Sequence, residues 1–402
     1  MTTTPTADAA AESIPAPATY LPLRELDETP PVPRGRLGAL PAQDRFVLWG
    51  SRIAALGMTW VITQRLLPLP GIWWFLVVFA IANVAFLALT TAMTDDIVTV
   101  RDRIAGWLIG AGAFVVFAAL ATTIFFVFQR GWPAMKHLNF YTHDMAGVSP
   151  SDPLNKGGIL HAVVGSLIEL AIAIAITLPL GVGTAVFMNE VGGKFAKIVR
   201  TVVEAMTALP SIVAGLFIYT VWIIALGMPR SGLAGGLAIA VMMLPIIARA
   251  SDVVLRVVPG SLREASLGLG ASRWKTVWHV VLPTARPGLA TALILGIARG
   301  IGETSPVLIT SGMASFMVTN PFDGVMNSLP LTIFGGARSP DPMMITRAFG
   351  TAGVLLILVL ILFILARLAA RPASNKPGPI RRLRRALTGL ATPKKSSEKG
   401  VS

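Results

Sequence analysis

Arg299 and Glu303 are the residues of this chain best suited to do chemistry. They stand four apart in Ala298-Arg299-Gly300-Ile301-Gly302-Glu303-Thr304-Ser305-Pro306, within a long apolar stretch. That spacing puts both side chains on one face of a helix. Counting 1.5 Å per residue from Gly288 puts Arg299 roughly 17 Å along, near the middle of a bilayer. A lone charge there costs about 2.5–3.5 kcal/mol, so the two must face a polar interior. A guanidinium offers a planar fork of donors and stays charged at any relevant pH, which suits an oxyanion. Glu303 can hold Arg299 when no ligand is present and would repel a bound anion, keeping the site weak enough to release it. The competing reading is a closed salt bridge that only joins helices. Against it, Ala292, Gly296 and Gly300 already form a small-residue packing stripe without charges. A further carboxyl, Glu169, falls inside another apolar run. It is either hydrogen-bonded to a neighbouring helix or part of a polar path, and both readings stand.

A second constellation precedes this one. Glu264-Ala265-Ser266, three residues, Gly270, nine residues, Val280, one residue and Leu282-Pro283 make a long compound pattern. Ser261 can cap a first helix with Glu264 at its third position, and Gly270 can end it in a left-handed conformation. A second helix follows from Ser272. The pattern resembles the EAA loop of ABC importer permeases, with Ser266 for the second alanine and Val280 for isoleucine. The resemblance implies two short helices at right angles, the first seated in a groove of a cytoplasmic ATPase subunit.

Composition says what must position these residues. With 54% hydrophobic and 13% charged residues and a mean hydropathy of +0.70, the chain is a polytopic membrane protein, all helical. There is no cysteine, so disulfides and thiolate chemistry are excluded, and the four histidines are scattered, which leaves no metal site in view. The net charge of +14 reflects Lys and Arg at the ends of apolar runs rather than a nucleic-acid surface. No GxxxxGK[ST] loop is present, so the chain has no ATP site of that type.

Eight spans are expected: Phe46–Leu67, Gly71–Met93, Ile104–Phe128, Leu160–Met188, Thr201–Leu226, Gly232–Ala250, Gly288–Met313 and Thr346–Ala366. The first is weakened by Arg52, Gln64 and Arg65, and an interfacial amphipathic helix is its alternative. The organisation is then a disordered cytoplasmic tail over 1–45, an extra hairpin over 46–93, a first core span over 104–128, an extracytoplasmic segment over 129–158, and a core over 159–368. A cytoplasmic loop over 251–286 interrupts that core, and a basic tail over 369–402 follows it. The Lys and Arg bias puts both termini and the 251–286 loop in the cytoplasm. The RRLRR run in the last tail would be drawn to anionic lipid headgroups.

ARGIGETSP, together with ALPSIVAGLF (208–217) and SLPLTIF (328–334), resembles the PstA-type permeases of phosphate ABC importers over roughly 157–368. The resemblance implies a type I importer core of about six spans that translocates inorganic phosphate across the cytoplasmic (inner) membrane. It also implies a PstC-like permease as heterodimer partner, a PstB-like ATPase dimer that binds ATP and Mg, and a PstS-like phosphate-binding protein. Carried over residue by residue, Arg299 and Glu303 are pathway residues and Arg249 a third. Arg249 is equally an ordinary positive flank at a cytoplasmic helix end. Permeases for sulfate or molybdate and a non-transporting membrane scaffold are the alternatives.

Overall fold

The computed structural model describes residues 42–67, 71–93 and 95–369. Among the described residues every regular element is helical. In chain order the helices are α1 (Ala42–Val61), α2 (Ile72–Ala92), α3 (Ile97–Met135), α4 (Asn139–Thr142), α5 (Leu160–Val186), α6 (Gly193–Thr207) and α7 (Ser211–Ile218). They continue with α8 (Gly232–Val257), α9 (Gly260–Gly268), α10 (Arg273–Thr276), α11 (Leu282–Gly300), α12 (Ser305–Thr310), α13 (Leu329–Ala337) and α14 (Pro342–Ala369). Four π turns, Ile62–Leu66, Phe187–Val191, Tyr219–Ala225 and Val277–Val281, extend or join them. Most of the 1–45 tail, the Pro68–Pro70 turn and nearly all of the 369–402 tail lie outside the described residues; α1 begins at Ala42, inside the stretch read as tail.

Two units divide the chain between Phe117 and Ala118, inside α3. In the first, α1 packs along α2. Its buried stripe is Ser51, Ala55, Thr59 and Thr63, small residues four apart. Thr59 and Thr63 donate their hydroxyls to the carbonyls of Ala55 and Thr59, so these two hydroxyls are satisfied within their own helix.

In the second unit α5 and α8 pack along one another and form the centre. Leu170, Ala173, Ile239, Met243 and Ile247 from these helices meet Ile297, Ile301, Val307 and Leu331 in the main apolar cluster. A second cluster joins Ala134, Phe140, Ile159 and Leu329. It anchors the 139–158 segment, where Asn139 donates to the carbonyls of Leu154 and Gly157. Arg347 is nearly buried there and donates to the carbonyls of Pro150, Asp152, Pro153 and Lys156.

Among the described residues six helices are long and apolar enough to cross a membrane, and a seventh crossing exists if one bent pair is counted. Of the eight expected spans, Phe46–Leu67 is helical but falls outside this group because its charges dilute it. Ile104–Phe128 is part of a longer helix of 39 residues. Thr201–Leu226 is not one helix. α6 and the α7 segment meet at 106° across Ala208-Leu209-Pro210, because proline disfavours helical geometry in the residue before it. Gly288–Met313 is also broken, and this break holds the site.

Candidate functional site

α11 stops at Gly300, and α12 starts only at Ser305, with Pro306 in its first turn. The expectation that Arg299 and Glu303 share one face of a continuous helix from Gly288 is therefore corrected. The helical path that contains Arg299 begins at Arg273 rather than Gly288 and ends one residue beyond it. A cation in the last turn of a helix is favoured by the exposed carbonyls there. Glu303 lies in the non-helical break, and its Oε1 stands 3.0 Å from Arg299 Nε in an ion pair. The two partners are unequal, since the Arg299 side chain is 55% exposed and that of Glu303 only 8%. The guanidinium is thus held by a buried anchor while its other nitrogens remain open to a ligand.

Behind Glu303 lies a cavity of about 10 Å³, room for about one water. Ser166, Glu169, Ile239, Glu303 and Ser328 are among its lining residues. Glu169 is 1% exposed, and its Oε1 has no hydrogen-bond partner among the described residues; the same is true of Ser328 Oγ. Gly235 of α8 makes room for this carboxyl, since a Cβ there would lie 2.7 Å from Glu169 Oε1. Glu169 thus lines the same small cavity as the carboxyl that pairs with Arg299.

Three sequence motifs from distant stretches meet at this break. Gly215 of ALPSIVAGLF abuts Pro306 of ARGIGETSP so closely that a Cβ would lie 2.6 Å from the Pro306 Cα. Ser328 and Pro330 of SLPLTIF line the cavity beside Glu303. Ser166 Oγ accepts from the Leu329 N–H at 2.8 Å, fixing the start of α13 against α5.

Arg249 is elsewhere. It is exposed on α8, ten residues beyond Ile239 and so roughly 15 Å along the axis from the Glu303 cavity. With Arg200, Glu204, Asp252 and Arg256 it lines a separate cavity of about 200 Å³. Asp252 is nearly buried and accepts from Asn189, Arg200 and Arg256 at 2.8, 3.3 and 2.7 Å. Sequence reasoning missed this network. Asp252, a carboxylate four residues before Arg256 in an apolar helix, was its visible signal.

The Glu264–Pro283 pattern forms two helices joined by a turn. Gly270 has φ +81°, the left-handed turn expected of it. Ser272 caps the second helix by accepting from the Lys275 N–H. Two expectations are corrected. Ser261 does not cap α9, and Glu264 is not in a capping box, because the helix starts earlier, at Gly260 after Pro259. Nor is the second helix a separate short piece ended by Pro283. α10 passes through the π turn Val277–Val281 into α11. Proline cannot donate to the preceding turn, and the π turn beside it is where the helix absorbs that loss. Glu264, Ala265 and Gly270 are exposed, and Leu282 and Pro283 are half-buried. Ser266 Oγ lies 2.9 Å from Thr276 Oγ1, so the residue that departs from alanine ties the two helices together. Leu269, Trp274 and Trp278 leave the segment with an apolar exposed surface. No group of three or more His, Cys, Asp or Glu that could hold a metal ion occurs among the described residues.

Residues 177–372 match the family described as the binding-protein-dependent transport system inner membrane component. The phosphate transport system permease protein PstA 1 of Mycobacterium tuberculosis (strain CDC 1551 / Oshkosh) is 36% identical over 261 residues, 65% of this chain and 85% of that protein. PstA of Mycobacterium leprae is 37% identical over the same length, with 65% and 85% covered. PstA of Xylella fastidiosa (strain 9a5c) is 38% identical over 217 residues, 54% of this chain and 75% of that protein. A chain of a solved bacterial alginate ABC transporter superposes with a TM-score of 0.49 at 13% identity, covering 68% of this chain and 98% of that one.

Proposed function

We propose that this chain, which belongs to the PstA permease family of phosphate ABC importers, carries inorganic phosphate past Arg299. The chain is a multi-pass membrane permease subunit of such an importer. One observation carries the pathway reading: a guanidinium more than half exposed at a break between two helices, anchored by a carboxylate that is 8% exposed. Phosphate presents the oxygens that a planar fork of N–H donors fits, and Arg keeps its charge whatever the protonation of the anion. Without phosphate, Glu303 satisfies Arg299 and keeps the buried path from holding an unpaired charge. With phosphate bound, the Glu303 carboxylate opposes the anion, which shortens its stay and favours release. Arg249, roughly 15 Å farther along α8, is a second cationic station toward the cytoplasm.

Force for the cycle comes from a separate ATPase dimer that binds ATP and Mg, docked on the segment of Glu264, Ala265, Ser266 and Gly270 and backed by Leu282 and Pro283. A second permease completes the pathway, and a phosphate-binding protein delivers the ion from outside. The assembly sits in the cytoplasmic membrane with both termini of this chain inside. Uptake of radiolabelled phosphate by cells lacking this chain, with and without its gene restored, tests the reading, with labelled sulfate and molybdate as the comparison. Restored phosphate uptake with the other anions unchanged is the expected result. Restored uptake of sulfate or molybdate alone, or of none, refutes it.

A further inference from the structure

α9, the helix that holds Glu264, buries none of its own residues, and turns at Pro259 and Gly270 bound it. A short helix joined only by two turns would swivel freely, and a push on it would not reach the membrane. Besides the Ser266 contact with Thr276, one side chain fastens it to the membrane helices. Arg263 donates Nε to Glu190 Oε1 at 3.0 Å, Nη1 to the Val258 carbonyl at 3.1 Å and Nη2 to the Leu255 carbonyl at 2.9 Å. All three guanidinium nitrogens are engaged, on two different helices. Leu255 and Val258 lie at the end of α8, where carbonyls have no intrahelical partner. Glu190 lies in the π turn that ends α5.

We propose that Arg263 is the joint through which the docking helix moves α5 and α8 as one body. The two helices are already tied to each other at this end. Asn189, beside Glu190, donates to Asp252 of α8 and to the Ala185 carbonyl of its own helix. A displacement of α9 therefore acts on a fastened pair rather than on one helix. Glu190 stands 21 residues from Glu169, roughly 30 Å along α5. At that far end Glu169 of α5 and Ile239 of α8 line the cavity behind Glu303. The second arm is the contact between Ser266 and Thr276, which leads through α10 and α11 to Arg299 itself. One arm ends at the cavity wall that Glu303 shares and the other at Arg299, so a tilt of α9 acts on both sides of the pair. Lysine could hold Glu190 but has no fork with which to reach both carbonyls as well.

This inference rests on the reading that α9 meets a separate ATPase and that the anion moved is phosphate. The test uses the complete importer in proteoliposomes supplied with phosphate-loaded binding protein, with uptake and ATP hydrolysis measured together. Arg263→Gln is expected to leave assembly and hydrolysis intact and to lower phosphate moved per ATP by about tenfold, the shift that loss of a charge-assisted hydrogen bond gives a two-state equilibrium. Arg263→Lys falls between. Glu190→Gln leaves both carbonyl bonds of Arg263 in place and should still lower the ratio several-fold, which a role limited to capping α8 would not produce. A ratio within about twofold of the parent in both Arg263→Gln and Glu190→Gln overturns the joint, as does a proportional fall in uptake and hydrolysis. Should Arg263→Gln fail to assemble, the ratio in Glu190→Gln alone decides. Failure of the phosphate reading shows separately, as a parent complex that hydrolyses ATP without moving phosphate.

Discussion

Arg299→Gln keeps the length and hydrogen-bonding capacity of the side chain and removes its charge. Two costs follow. For stability, Glu303 is 8% exposed and loses its cation, while Arg299 is 55% exposed. A fully buried broken pair would cost about 3–5 kcal/mol and an exposed one about 0–1, so solvent on the arginine side brings the expectation to about 1–2 kcal/mol. The double variant with Glu303→Gln removes both charges together and should return to within about 0.5 kcal/mol of the parent. For transport, a charge-assisted hydrogen bond to the anion contributes about 1.5–3 kcal/mol, so uptake at limiting phosphate should fall by about 10- to 100-fold. The two costs separate in the double variant. If Arg299 serves the anion, restoring stability does not restore uptake. The assay is labelled phosphate uptake at matched membrane abundance, with thermal unfolding of the solubilised complex as the stability readout. Recovery of uptake in the double variant would refute the pathway reasoning and leave a structural bridge. Arg299→Lys retains charge without the fork and should be impaired rather than neutral.

Gly270→Val should leave the protein in the membrane but impair coupling. A Cβ there meets nothing within 4 Å, so the cost of about 1–2 kcal/mol is that of the left-handed backbone alone; unchanged copurification with the ATPase together with unchanged uptake would contradict it. Arg347→Met removes a donor from four carbonyls of the 150–156 stretch, of which only that of Pro153 keeps another, the Lys156 N–H, at about 2–4 kcal/mol, and should expose that stretch to protease from outside the cell. Cleavage no faster than in the parent would refute it. Reporters inserted near Asp8 and fused after Ser402 should both report the cytoplasm; opposite sides for the two would mean an odd number of crossings.

α5, α8 and α14 were legible because each contains an apolar run long enough to outweigh the few charges within it, such as Glu169 and Arg347. The bend at Pro210 was foreshadowed by its proline, yet hydropathy averaged across it and joined an amphipathic helix to an apolar one. Arg299 and Glu303 could be found from charge in an apolar setting. Their position in a break could not, because the helix start at Arg273 depends on how the π turn accommodates Pro283. Gly270 announced its turn, whereas the cap at the other end of α9 went to a backbone start at Pro259 with no side-chain bond. Arg263 and Glu190 look like ordinary cytoplasmic flanks, and Asp252 signals only its pairing with Arg256 on the same helix. Only the packing of α5 on α8 brings them together, and pairings between residues so far apart in sequence leave no local periodicity to read.

The guanidinium of Arg347 has a thermodynamic consequence beyond holding its own loop. Fixing a backbone residue costs about 1–2 kcal/mol of conformational entropy, and for the stretch from Pro150 to Lys156 that loss is incurred when the chain folds, through bonds to the body of the protein. A protein landing on this face would meet a surface already ordered, and its association would be a rigid-body encounter rather than folding coupled to binding. The heat-capacity change on such an encounter would then reflect only the area covered, with no contribution from a loop ordering beneath it.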